Sequence, residues 1–168
     1  MTKVTTASRK KKEAPAAPAA LTEIRWHGRG GQGAVTAAKM VAEVGLGQGK
    51  HFQAFPEYGP ERSGAPIVAF TRISDAPIQI YAGVEHPQIV VVLDQSLLSI
   101  VDVTRGAPDD AVVLVNSELS PAELRKKYGV EGRRLYTVAA SRIATETIRR
   151  PIPNTPMAGA IIQFRLNA

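Results

Sequence analysis

The sequence predicts a three-layer α/β/α domain on a mixed, mostly parallel sheet with one antiparallel hairpin. Three observations carry this. A strand-like run, Ile24-Arg25-Trp26, leads into a glycine turn at 28–33 and then a helix-like run over 34–42. Residues 88–93 and 111–115 are continuous apolar, β-branched runs, the pattern of strands buried on both faces. Stretches with helical signals separate these strands, and strands alternating with helices place helices against the faces of one sheet.

In chain order, the 34–42 helix ends in the permissive segment 45–49, and His51-Phe52-Gln53-Ala54-Phe55 forms the second strand. A loop of fixed shape follows, because Pro56, Pro60 and Pro66 each hold φ and withhold a donor. The runs 67–73 and 78–81 flank a four-residue turn and predict the hairpin. Asp94 closes the 88–93 strand, and 95–103 has helical spacing. Ser120-Pro121-Ala122-Glu123 is a capping box with proline at the first helical position, so a helix runs to about residue 128. A strand over 134–138 and a helix over 139–149 follow. Asn154-Thr155, after two prolines, starts a terminal helix with Asn or Thr as its cap.

At 168 residues the chain is one domain's worth, divided into a basic Ala/Pro-rich tail over 1–20 and a single α/β domain over 21–168. Of the formal charge of +6, the tail holds Lys3, Arg9, Lys10, Lys11 and Lys12 against Glu13, so the domain is close to neutral. The tail reads as a disordered, solubilising extension rather than a nucleic-acid arm. It lacks the apolar stretch of a secretory signal, and no apolar run reaches the roughly 20 residues that span a bilayer. A cytoplasmic protein is expected. Cysteine is absent, which excludes disulfides, thiolate metal sites and iron–sulfur clusters ligated by this chain.

The turn Gly28-Arg29-Gly30-Gly31-Gln32-Gly33 is the first candidate site. Glycines let backbone approach a ligand, and the N–H groups that open a helix favour an anion. Residues 28, 30 and 33 fit the dinucleotide pattern, but no acidic residue closes the second strand to hold a ribose. Two readings stand: a cradle for a phosphate or another anion, in which Arg29 meets a phosphate or a partner's carboxylate, or glycines needed only for close strand–helix packing. The second candidate is the 57–66 loop. Glu57, Tyr58, Glu61 and Arg62 suit docking against another subunit better than catalysis. Asp94 reads as a helix cap before a ligand contact. His27, His51 and His86 show no metal-ligand spacing, Trp26 and Tyr136 read as core or interface, and no catalytic residue is assigned.

The segments HGRGGQGAVTAAKMVAE and QAFPEYGPERSGAPIVAFTRIS together resemble the gamma subunit of the 2-oxoacid:ferredoxin oxidoreductases, the pyruvate synthase type above all. Ile78, the 89–94 run and Pro153-Asn154-Thr155-Pro156-Met157 agree with it, and the resemblance covers residues 23 to about 160. It implies an enzyme that oxidatively decarboxylates a 2-oxoacid on thiamine diphosphate, passes electrons through iron–sulfur clusters to ferredoxin and forms an acyl-coenzyme A. Thiamine diphosphate, Mg and clusters then belong to alpha-, beta- and delta-type partner subunits. A chain of this type supports assembly and contacts coenzyme A or closes the active site. The resemblance also implies more helix beyond the Asn-Thr-x-Met segment than the sequence shows. Two alternatives stand beside it: a stand-alone nucleotide- or coenzyme A-binding module, and an interaction protein using its basic tail.

Overall fold

A computed structural model describes residues 21–57, 64–130 and 132–166. The basic tail lies outside the described residues, as do Tyr58, Glu61 and Arg62. One six-stranded sheet organises the chain: β1 (Leu21–Arg29), β2 (His51–Pro56), β3 (Pro66–Ser74), β4 (Ile89–Val92), β5 (Val112–Asn116) and β6 (Arg134–Val138), in the order β2-β3-β1-β4-β5-β6. β1, β4, β5 and β6 are mutually parallel, and β3 runs antiparallel to both β1 and β2. Among the described residues four α-helices complete it: α1 (Ala34–Leu46), α2 (Pro121–Tyr128), α3 (Ala140–Ile148) and α4 (Asn154–Leu166). The expected three-layer, mostly parallel arrangement is present.

Side-chain alternation divides the core in two. Ile24, Trp26, Val91 and Leu114 point to one face, where α1, α3 and α4 cover them. α1 meets that face through Ala34, Ala37, Ala38 and Val41, a stripe at helical spacing whose small side chains bring the helix close. Thr71 ties these layers: its hydroxyl donates to the Ala38 carbonyl at 2.9 Å and accepts from Trp26 Nε1 at 3.0 Å. On the other face Val90, Val92, Val113 and Val115 pack against Leu97, Val103 and Leu124 of α2. The capping box forms as the sequence predicts, with Ser120 and Glu123 bonded reciprocally and Gly129 ending α2 at φ 65°.

Two expectations are corrected. The antiparallel hairpin is β2–β3, joined through the 57–65 connection, and not 67–73 with 78–81. Both edges of β3 are taken, by β1 and β2, so 78–81 has no edge of β3 to join. It crosses the sheet as irregular chain instead, where the buried Arg72 guanidinium donates to the carbonyls of Ile80 (3.3 Å) and Gly83 (3.1 Å). The helix expected over 95–103 shortens to a 3-10 turn, Gln95–Ser99. Beyond it, Asp102 Oδ1 accepts from both the N–H and the hydroxyl of Thr104, a local bond that competes with helix continuation. Among the described residues no helix is long and apolar enough to cross a membrane.

Candidate functional site: the carboxyl edge of the parallel strands

Ligand crevices of open α/β sheets form beyond the carboxyl ends of parallel strands, where successive connections leave toward opposite faces. Here that place lies between β1 and β4. The chain leaves β1 into α1 on one face and leaves β4 into the 3-10 turn on the other. The glycine turn and Asp94 therefore stand side by side, as their positions after two strands require.

Within the turn the glycines have different reasons. At Gly28 a Cβ would sit 3.2 Å from both Ala34 Cβ and Leu93 Cδ1, so close packing of strand, helix and β4 accounts for it. Gly31 and Gly33 have φ of 92° and 79°, a region that favours glycine. The turn's donors are largely bound within the chain. Arg29 N–H donates to Gln32 Oε1 at 2.8 Å, Gly30 N–H to the Ala65 carbonyl at 3.3 Å, and Gln32 N–H back to the Arg29 carbonyl at 3.1 Å.

Arg29 finds its carboxylate in the same chain. Its Nε donates to Asp94 Oδ2 at 3.0 Å, and its two terminal nitrogens donate to the Gly64 carbonyl and to Ser96 Oγ, each at 3.0 Å. Gln32 Nε2 adds a bond to Asp94 Oδ2 at 3.2 Å. Asp94 also caps the 3-10 turn, accepting from Ser96 N–H at 2.9 Å. Partial burial pushes the Asp94 carboxyl upward, but the bonds from Ser96, Gln32 and Arg29 outweigh it and hold the group below its ordinary pKa.

Next to this network a cavity of about 270 Å³ opens over the ends of β4, β5 and β6. Gln32 and Asp94 form one wall, Leu93 contributes apolar surface, and Asn116, Ser117 and Ser141 supply polar groups. Asn116 is held firmly: its Nδ2 donates to the Leu93 carbonyl (2.9 Å) and Ser141 Oγ (2.8 Å), and its Oδ1 accepts from Ser141 N–H (3.1 Å). Sequence reading did not single out Asn116, Ser117 or Ser141. Their one signal is position, immediately after the apolar runs that end at the same sheet edge.

Glu57 stands apart from this network, exposed, with its N–H on the Val68 carbonyl at 2.9 Å. On the opposite face of β1 from Trp26, burial lowers the pKa of Arg25, against the charges of Asp102 and then Glu57. Beside Arg25 lies His27, 4% exposed, whose pKa falls to about 4, first through burial and then through the Arg25 charge. Among the described residues no group of three or more His, Cys, Asp and Glu is placed to hold a metal ion.

This arrangement has relatives. The family model described as pyruvate ferredoxin/flavodoxin oxidoreductase matches residues 23–167. The chain belongs to this family. It is 51% identical over 141 residues to the protein from Pyrococcus abyssi named pyruvate/ketoisovalerate oxidoreductases common subunit gamma, covering 84% of this chain and 76% of that one. It is 50% identical to the pyruvate synthase subunit PorC of Thermotoga maritima, covering 84% and 72%. The crystal structure of the Thermotoga maritima pyruvate oxidoreductase subunit PORC superposes with a TM-score of 0.74 at 48% identity, over 84% of this chain and 75% of that one. The pyruvate ferredoxin/flavodoxin oxidoreductase chain described here is thus of the gamma type, an oxidoreductase subunit.

Proposed function

We propose that this chain is the gamma subunit of a cytoplasmic pyruvate:ferredoxin oxidoreductase. Alpha-, beta- and delta-type partners in that assembly hold thiamine diphosphate with its Mg and the iron–sulfur clusters. The assembled enzyme oxidatively decarboxylates pyruvate, passes the electrons to ferredoxin and transfers the acetyl group to coenzyme A. The observation that carries this reading is identity of about one half, sustained over 84% of the chain, to proteins named as gamma or PorC subunits. The lack of cysteine agrees with it, since cluster ligation must then fall to other chains.

This chain's part is to present a shaped edge to its partners. The carboxyl edge of β1 and β4, with exposed Gly30 and Gly31 and the adjoining cavity, is where coenzyme A approaches, and the Glu57 end of the 57–66 loop docks against a partner subunit. The 2-oxoacid is selected elsewhere. In support, the Pyrococcus relative carries both pyruvate and ketoisovalerate in its name, as a subunit common to two oxidoreductases.

The test is anaerobic isolation of the tagged chain from its native cells, followed by assay of the purified material for thiamine diphosphate, iron and acid-labile sulfide. All three are expected with the additional chains. A chain that purifies alone, without any of them, overturns the reading.

A further inference from the structure

The β1/β4 switch point is the position at which a sheet of this kind leaves a crevice, yet in this chain its own side chains fill it. Arg29 at the end of β1 and Asp94 just beyond β4 meet across the gap at 3.0 Å. The guanidinium fork reaches two further groups as well: the carbonyl of Gly64, two residues before β3, and Ser96 Oγ in the 3-10 turn that Asp94 caps. A single side chain thus joins three stretches of chain distant in sequence: the end of β1, the approach to β3 and the Asp94–Ser96 turn. Its planar geometry, with several donors in fixed directions, makes that possible, where an ammonium would supply one point charge. Gln32 completes the network on Asp94 while its carbonyl oxygen holds the Arg29 N–H. Because Gln32 and Asp94 are also one wall of the 270 Å³ cavity, whatever fixes them fixes that wall.

We propose that Arg29 is a positioning residue. It acts on the reaction of the assembled enzyme through its neighbours, by holding the Gln32–Asp94 wall and the Gly64–Ala65 approach to β3 in register. This rests on the gamma-subunit reading above. Each of the three guanidinium nitrogens already donates one bond within the chain, and Asp94, a charge-assisted partner in place, competes with any anion for Arg29. The pairing with Gly30 N–H on the Ala65 carbonyl shows the same two segments joined a second time, through backbone.

The experiment uses Arg29→Gln, Arg29→Lys and Asp94→Asn, each in the full chain and in the assembled enzyme. Amide exchange is followed at residues 30–32 and at Gly64 and Ala65. Steady-state kinetics give kcat and KM for coenzyme A. Arg29→Gln is expected to speed exchange at both segments at least tenfold and to raise KM for coenzyme A fivefold or more, with kcat within twofold of wild type. Asp94→Asn follows it, and Arg29→Lys, keeping the charge but not the fork, falls between. Unchanged exchange at both segments overturns the proposal, because the network then holds nothing in place. Faster exchange with KM and kcat both at wild-type values also overturns it, leaving a tie of structural value only. If the wild-type chain assembles with no thiamine- or cluster-bearing partner, the gamma-subunit reading fails and the positioning role fails with it, whereas the exchange result still reports whether the network holds the two segments.

Discussion

Asn154 and Gly33 are in direct apposition: a Cβ built on Gly33 would fall 2.6 Å from the Asn154 carboxamide nitrogen. The first residue of α4 therefore sits over the turn that opens α1. Its Oδ1 also accepts from the adjacent Thr155 N–H at 2.8 Å. Three residues on, Met157 is fully buried against the same core cluster. The Asn-Thr-Pro-Met segment and the glycine turn, 120 residues apart in the chain, are two sides of one contact.

That contact separates two glycines of similar backbone conformation. Gly31→Ala meets only the conformational penalty of a positive φ, because nothing lies within 4 Å of its Cβ position, and is expected to cost about 1–2 kcal/mol. Gly33→Ala adds displacement of Asn154 to the same penalty and is expected to cost roughly 2–4 kcal/mol. Urea unfolding of the two variants compares them directly, and equal costs would mean that the Asn154 contact carries no energy.

Arg72 organises the far side of the sheet. Its side chain is 2% exposed and pairs with Glu23 at 2.8 Å, lies 5.5 Å from the Phe55 ring centroid, and bonds the carbonyls of Ile80 and Gly83. Arg72→Met strands the Glu23 carboxylate and those carbonyls together, so a loss of about 3–5 kcal/mol is expected. Adding Glu23→Gln should recover part of it. A double variant as unstable as the sum of the singles would show that the ion pair itself contributes nothing.

His27 gives the fold a defined acid sensitivity. Its Nε2 is buried without a hydrogen-bond partner, and its folded pKa of about 4 lies below the ordinary 6.5. As pH falls through 6.5 the unfolded chain takes up the proton and the folded chain does not. Stability is therefore lost between pH 6.5 and about 4, by roughly 3 kcal/mol in total, and does not fall further through this group below that window. His27→Leu should flatten that part of the stability–pH curve. An unchanged slope in the variant would assign the acid loss to other groups.

Much of this was legible because the signals are local. The glycine turn announces strand, turn and helix within ten residues; β4 and β5 show as unbroken apolar runs; the Ser120–Glu123 box fixes the start of α2. What escaped depends on distant partners. The 78–81 run has strand composition, yet pairing is decided by which edges of β3 are free, and β1 and β2 already occupy both. Likewise Arg29 offers a cation whose counterion could be a phosphate, another subunit or this chain's own Asp94, 65 residues away. Only the folded sheet brings those two strand ends together.

Reconstitution decides whether this chain works as the gamma subunit of a pyruvate:ferredoxin oxidoreductase. The partner chains would be prepared without it under anaerobic conditions, and pyruvate- and coenzyme A-dependent ferredoxin reduction measured as the chain is titrated back. Little activity is expected without it, and a rise that saturates at a fixed ratio of this chain to its partners. Full activity in its absence, or no response to its addition, would contradict the claim.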